Sequence, residues 1–508
     1  MKNIITGEQA RQIDAYTIRK SGVPSLVLME RASLAVAEEC ERMAGEGRGK
    51  ETRILAVCGS GNNGGDGMAA ARILYARGYQ AEILLAGDRG KLSEDAARQL
   101  LIAENFGVPV QESCNLASYD IIMDALFGTG LSREVSGSWA RLIEEINESD
   151  ARVCAVDIAS GVHAGTGQIL GIAVNAEVTV TFGDLKLGMI LYPGAIKSGR
   201  ILCTEIGFDP AAVREAGISC FAPEKADLER LPARHSDSHK GSYGKVLVIA
   251  GSRNMAGAAA FSAKAAYRTG AGLVTILTPE CNRQILQTLV PEAVMKTYDE
   301  DNGLPEELPV LIAGSSVIVI GPGIGMSRIS EKLTETVIYT AQCPVVMDAD
   351  ALNILSRHPE WKEEMRAAAE KRPGAGFILT PHKMELSRLT GYNIQSLKGK
   401  ELQICVECSR DYGVILVAKD ARTIVSDGRG KNIVNTSGND GMSCGGSGDV
   451  LTGMIAALAA QGSSLFEAAW LGVYLHGLAG DAAAEKKGHY SMTASDIVES
   501  AADVLSAF

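Results

Sequence analysis

Short β-rich runs alternate with helical stretches along most of this chain, and that alternation limits the possible folds more than any other feature. In the first half the runs are 53–58, 81–85, 119–124, 153–157 and 177–182, separated by helical stretches such as 26–43 and 67–78. They resume at 246–250, 273–277, 317–320, 345–348, 377–380 and 414–418. Strands joined through helices must run parallel, and a parallel sheet needs helices on both faces. Residues 208–244 break the rhythm with Pro210, Pro223 and Pro232, followed by the polar run HSDSHKG, so the boundary between two domains is expected there. A length of 508 residues suits two such domains.

Composition excludes some function classes. A net charge of −12 argues against general nucleic-acid binding, which needs clustered Lys and Arg. Apolar runs are too short to span a membrane, and the opening MKNIITGE turns polar too soon for a signal peptide. The eleven cysteines have no framework spacing, which fits reduced thiols in a cytoplasm. Cys405 and Cys408 form one CxxC, read as two buried thiols on a helix because no second pair or nearby His completes a zinc site. The 56 glycines suit tight turns around small ligands. A homo-oligomer is expected, with apolar helices such as 465–478 serving as core or as subunit interface.

In the first half, GSGNNGGDG at 59–67 follows a strand and opens a helix, so free backbone N–H groups face an incoming anion. It is not a dinucleotide GxGxxG, because Asn62, Asn63 and Asp66 stand where that pattern wants small residues. Two further strands end in DALFGTGL at 124–131 and DIASG at 157–161. One Asp at a strand end commonly caps the next helix. Three such loops should converge at the C-terminal edge of the sheet, where ligands sit.

In the second half, NTSGNDGMSCGGSGD at 435–449 precedes the apolar helix 450–461. Gly445, Gly446, Ser447 and Gly448 therefore sit at a helix N-terminus, where the dipole favours phosphate. Asp449 opens the helix and can take a proton from a hydroxyl undergoing phosphorylation. No GK[ST] follows, so this is not a Walker loop. Taken alone, the cradle leaves two other readings open: a small-molecule kinase acting on a vitamin or sugar, with the first half as a binding module, and a nucleotide-sensing scaffold.

These motifs resemble a known family. GNNGGDG, DALFGTGL and DIASG are similar to the epimerase domain of NAD(P)H-hydrate repair proteins. GGSGD resembles the anion hole of ribokinase-like enzymes. With SHKGSYG at 238–244, MAGA at 255–258, GPGIG at 321–325, DADALN at 348–353, TPHKMELSRLTG at 380–391 and YLHG at 474–477, it resembles the ADP/ATP-dependent NAD(P)H-hydrate dehydratase. The resemblance implies a Rossmann-like three-layer αβα epimerase domain over 1–217 and a ribokinase-like αβα dehydratase domain over 223–508. The ligands it implies are the R and S forms of hydrated NAD(P)H and ADP or ATP with magnesium, without nucleic acid or membrane.

Residue roles follow from the same match. Potassium would be held by Asn63, Asp124 and Ser160, all hard oxygen donors. Asn62, Asn63, Gly64, Gly65, Asp66, Gly128, Thr129, Gly130, Leu131, Ser132, Arg133 and Glu134 would line the epimerase substrate, with Asp157 as acid/base. Ala258, Gly325, His382, Lys383, Met384, Glu385, Leu386, Ser387 and Arg388 would contact the hydrated cofactor. Lys419, Asp420, Ala421, Arg422, Thr423 and Gly448 would contact the adenine nucleotide, and Asp449 would face the C6 hydroxyl. Four departures from the family pattern stand out: Ala159 where Pro is usual, Asp420 after Lys419 where Gly is usual, SGNDG at 437–441 in place of TGNPG, and Ser443-Cys444 in place of a more usual pair of small residues.

Overall fold

The computed structural model describes residues 1–372 and 374–506, so the last two residues of the expected second domain lie outside the described residues. The chain forms two compact units, Lys2–Ser219 and a second one from Cys220 onward.

The first unit is built on a seven-stranded, wholly parallel sheet. Its spatial order is Val110–Gln111, Gln80–Leu85, Arg53–Cys58, Ile121–Ala125, Arg152–Val156, Val178–Phe182 and Arg200–Thr204. Successive side chains of a strand point to opposite faces, and the central strand shows both being used. Ile54, Ala56 and Cys58 pack with the helices Ser25–Gly45 and Asn62–Ala76. Leu55 and Val57 pack on the other side with Ile143 and Ile146 of the helix Ser138–Glu148. That is the expected three-layer αβα arrangement.

The second unit has one sheet in the order Val294–Tyr298, Leu273–Pro279, Lys245–Ile249, Val317–Ile320, Pro344–Met347, Gly376–Leu379, Ile415–Ala418, Ile424–Ser426, Asn432–Val434 and Cys220–Ala222. All pairings from Val294–Tyr298 to Ile415–Ala418 are parallel. Val246 and Val248 bury against the helices Ala256–Arg268, Ser447–Ala460 and Leu465–Lys487. Residues 465–478 are therefore core: Ala468, Ala469, Trp470, Leu471 and Leu475 are all buried.

Three expectations need correction. The purely parallel reading missed Ile424–Ser426, which pairs antiparallel with both of its neighbours, and Asn432–Val434, which pairs antiparallel with it and parallel with Cys220–Ala222; strands of three residues are too short to show a period. The edge strands Arg200–Thr204 and Val294–Tyr298 were also missed, because their polar, part-exposed residues blur the alternation. The helix expected at 67–78 begins five residues earlier, at Asn62. Its first turn tolerates two glycines because they are needed for close packing. A Cβ at Gly64 would lie 2.0 Å from the Gly59 carbonyl oxygen, and one at Gly65 2.9 Å from the Met29 methyl.

One close helix contact in the second unit depends on Gly453. A Cβ there would lie 2.2 Å from the Ser262 carbonyl oxygen and 2.9 Å from the Ala265 side chain. Gly453→Val should therefore overpack this contact and destabilise the second unit by about 1–3 kcal/mol. Urea unfolding followed by fluorescence checks this, with a lower midpoint as the expected result.

Candidate functional sites

In the first unit the C-terminal ends of the central strands open on a cavity of about 1210 Å³. Of the residues expected there, Asn62, Asn63, Asp66, Gly128, Thr129, Gly130, Leu131, Ser132, Arg133 and Asp157 line it. Gly64 and Gly65 do not, because they face Gly59 and Met29; Glu134 also lies outside the lining. The helix Asn62–Ala76 has Gly61 as its N-cap and no side-chain cap, which leaves its first N–H groups open to a ligand.

Asp157 stands just past its strand with φ of 64°, an uncommon conformation for a residue with a side chain, though Asp tolerates it better than most. Its Oδ1 accepts from Lys186 Nζ at 2.6 Å and from the Thr181 hydroxyl at 3.1 Å. The lysine is only 2% exposed, and its ammonium also donates to Thr181 Oγ1 and to the Phe182 carbonyl, both at 2.8 Å. Among the described residues Asp157 Oδ2 accepts no hydrogen bond, so one oxygen is anchored and the other remains available to a ligand. Asp66 also lines the cavity. Burial first, and the nearby charge of Asp157 second, push its carboxyl well above the usual range. The cavity lining thus holds a lysine-paired carboxyl at Asp157 and, at Asp66, a carboxyl whose burial favours the protonated form.

Asp124 and Ser160 lie buried beneath this cavity. Ser160 donates to Asp124 from its backbone N–H at 2.8 Å and from its hydroxyl at 2.6 Å. No lysine or arginine pairs with Asp124 among the described residues, and burial pushes its carboxyl up to about 6. The Asn63 side chain packs against Gly128, and its buried amide nitrogen has no partner among the described residues. A buried carboxylate with the Ser160 hydroxyl oxygen against it and no cationic side chain paired with it among the described residues fits a cation that prefers oxygen ligands.

In the second unit the helix Ser447–Ala460 starts at Ser447, with Gly446 as N-cap at φ 93°. Asp449 falls in its first turn. Burial first, then the charge of Asp348, push its carboxyl up to about 7, while Lys419 pulls the other way. Lys419 Nζ bonds Asp348 Oδ1 at 2.6 Å, and Thr452 Oγ1 donates to Asp348 Oδ2 at 2.9 Å. The Lys419 backbone N–H donates to the Pro381 carbonyl at 2.8 Å, placing it beside His382. Gly325 N–H donates to Asp350 Oδ2 at 2.8 Å, and Gly323 packs on Ala258. These links bring Ala258, Gly325, His382, Lys419, Gly448 and Asp449 to one end of the sheet.

The other predicted positions have varied surroundings. His382 is the N-cap of the helix Lys383–Thr390, and its Nδ1 accepts from the backbone N–H groups of Met384 and Glu385. Burial, with Lys419 second, lowers its proton affinity, so it stays neutral near pH 7. Glu385 is buried and pushed up to about 7, whereas Met384 is 45% exposed. Leu386 is core, and Ser387 and Arg388 hydrogen-bond to the Tyr392 carbonyl and to Asn353. Asp420, the unusual acid, forms an ion pair with Lys383 at 2.6 Å. Thr423 bonds back to the Asp420 carbonyl, and Arg422 reaches the Thr436 carbonyl.

Comparison with known proteins follows the same division. Residues 246–502 match the family model described as NAD(P)H-hydrate dehydratase, and residues 25–188 match the one described as YjeF-related protein N-terminus. A bifunctional NAD(P)H-hydrate repair enzyme of Thermofilum pendens is 35% identical over 500 residues, which cover 96% of this chain and 93% of that protein. One from Moorella thermoacetica is 35% identical over 513 residues, covering 98% and 95%. The chain belongs to the bifunctional NAD(P)H-hydrate repair family. A solved structure titled as an ADP/ATP-dependent NAD(P)H-hydrate dehydratase of Bacillus subtilis with ATP/Mg2+ is 28% identical, covers 56% of this chain and 97% of that chain, and has a TM-score of 0.49.

In this member of the repair family, sequence reasoning missed Lys186, Asp348 and Thr452. The signal for Lys186 was a lone lysine in the apolar stretch LKLGMI, and that for Asp348 an Asp at the end of VVM. Removing one partner of a buried pair leaves the other uncompensated. Lys186→Met should therefore cost about 3–5 kcal/mol of stability, seen as a clearly lower urea midpoint for the first unit. An unchanged midpoint would show that the pair contributes nothing to the fold.

Proposed function

We propose that the chain repairs hydrated nicotinamide cofactors in two steps, epimerising within 1–217 and dehydrating within 223–508. The observation that carries this reading is Asp449, a buried carboxylate in the first turn of a helix behind a glycine cradle, beside the Lys419 ammonium. Membership of the bifunctional repair family supports reading the hydroxyl as that on C6 of the hydrated ring.

In the dehydratase site, Asp449 takes the C6 hydroxyl proton as the oxygen attacks the terminal phosphoryl group of ADP or ATP, whose bridging P–O bond breaks and releases AMP or ADP. The ester then breaks its C6–O bond, phosphate leaves with the electron pair, and loss of the C5 proton restores the dihydronicotinamide. Phosphate leaves far more readily than hydroxide, which gives the nucleotide its purpose. Magnesium, when bound with the nucleotide, neutralises charge on the phosphates. Ala258, Gly325 and the 382–388 segment hold the hydrated cofactor, while 419–423 and Gly448 hold the nucleotide.

In the epimerase site, Asp157 moves the proton that accompanies loss and return of the C6 hydroxyl, with Lys186 fixing its orientation. Asn62, Asn63, Asp66 and residues 128–133 surround the ring. Asn63, Asp124 and Ser160 would hold a potassium ion, whose charge would offset that of the buried Asp124 carboxylate.

A base must be ionised to work, and Asp449 ionises near pH 7. Dehydration of S-NADHX with ADP or ATP, followed by recovery of absorbance of the reduced cofactor, should therefore rise with pH through about 7 and level off above it. Asp449→Asn should remove that limb and lower turnover by roughly 10²–10⁴-fold. Unchanged turnover in this variant would exclude Asp449 from the mechanism.

A further inference from the structure

The Lys419 ammonium has three N–H donors, yet among the described residues it makes a single side-chain hydrogen bond, to Asp348. It lies directly over the anion cradle: a methyl group at position 448 would be 3.2 Å from Nζ and 3.7 Å from Asp348 Oδ2. A lysine ammonium and a helix N-terminus repel each other unless an anion sits between them. Asp348 is 1% exposed, and both of its oxygens are occupied, one by Lys419 and one by Thr452, whose hydroxyl oxygen is also 3.0 Å from the Gly448 carbonyl oxygen.

We infer that Asp348 is a positioning residue of the dehydratase site: it clamps Lys419 over Gly448, so that two free ammonium N–H groups meet the transferring phosphoryl group, and it sets the charge balance around Asp449. This inference rests on the proposed dehydration reaction and extends it to residues outside the glycine motif. Lys419 then acts on the phosphoryl oxygens, and its charge falls where negative charge builds as the group transfers. No covalent bond is made or broken by either residue.

The groups facing Asp449 can be named from each surrounding element. Asp348 ends one strand, Asp350 opens the next helix, and Lys419 follows another strand. Glu385 and His382 stand behind Lys419. The helix Ala256–Arg268 contributes only the Ser262 hydroxyl, donated to the Asp449 carbonyl at 3.1 Å. The helix Leu465–Lys487 contributes His476, which lies 3.3 Å from the Ser447 hydroxyl and is lowered to about 4 by burial, hence neutral. The net effect on Asp449 therefore depends on Asp348 raising and Lys419 lowering its proton affinity, and the two substitutions must act in opposite directions.

The experiment uses the full chain carrying carbon-13 at aspartate carboxyls, with Asp449→Asn to assign the signal. Asp348→Asn should lower the Asp449 titration midpoint by about one pH unit, and Lys419→Met should raise it by a similar amount. The acid limb of dehydration should move with these midpoints. In Lys419→Met, kcat should fall by roughly 10²-fold with little change in KM for the hydrated cofactor. Calorimetry with inorganic phosphate should show binding to the parent and at least a tenfold loss in Lys419→Met. Midpoints that stay put, or move in the same direction in both variants, overturn the inference, as does unchanged phosphate affinity. If the parent chain fails to dehydrate the hydrate, the function reading falls, while the NMR and phosphate titrations still decide the role of Asp348 and Lys419.

Discussion

Parallel strands cannot be joined by tight turns, so most of those here are followed by a crossing helix, and many loops at the C-terminal edge lead to a helix N-terminus. Both units inherit their chemistry from this constraint. The edge gathers unsatisfied N–H groups from helices such as Asn62–Ala76 and Ser447–Ala460, and glycines at their starts let a ligand approach the backbone. Carboxylates leave the sheet at the same edge: Asp157 just past its strand in the first unit, Asp348 and Asp350 in the second.

Collecting negative charge at a buried edge carries a desolvation cost, and the two units meet it with one lysine each. Lys186 holds Asp157 and has all three donors occupied, so it orients the carboxylate and has nothing left for a ligand. Lys419 holds Asp348 with one donor and keeps two for an incoming anion. The first unit thus presents a fixed carboxylate suited to moving a proton on a neutral ring, and the second a lysine with free N–H donors beside a helix N-terminus, suited to phosphate. Asp449 and Glu385 are both raised to about 7, chiefly by burial, with Asp348 adding to the rise and Lys419 opposing it.

The central strands and the glycine loops were legible in the sequence because each is a local pattern: the β-rich run 53–58 and the GGSGD before an apolar helix need no distant partner to be read. The lysine–aspartate pairs were not, because Lys186 and Asp157 are 29 residues apart and Lys419 and Asp348 are 71 apart. Only the fold joins them. Asp420 shows the same limit. In sequence it is an unwelcome acid beside a nucleotide, whereas in the structure Lys383 pairs with it. The apolar helix Leu465–Lys487 also kept two readings until its neighbours showed it to be core.

The central claim is that one chain carries two successive activities, with the first supplying the isomer the second requires. The most direct measurement is the end point of cofactor recovery from a racemic mixture of R- and S-NADHX with ADP or ATP in excess. The account predicts near-complete recovery with the parent chain and a plateau near half with Asp157→Asn. A plateau near half with the parent chain itself would contradict it.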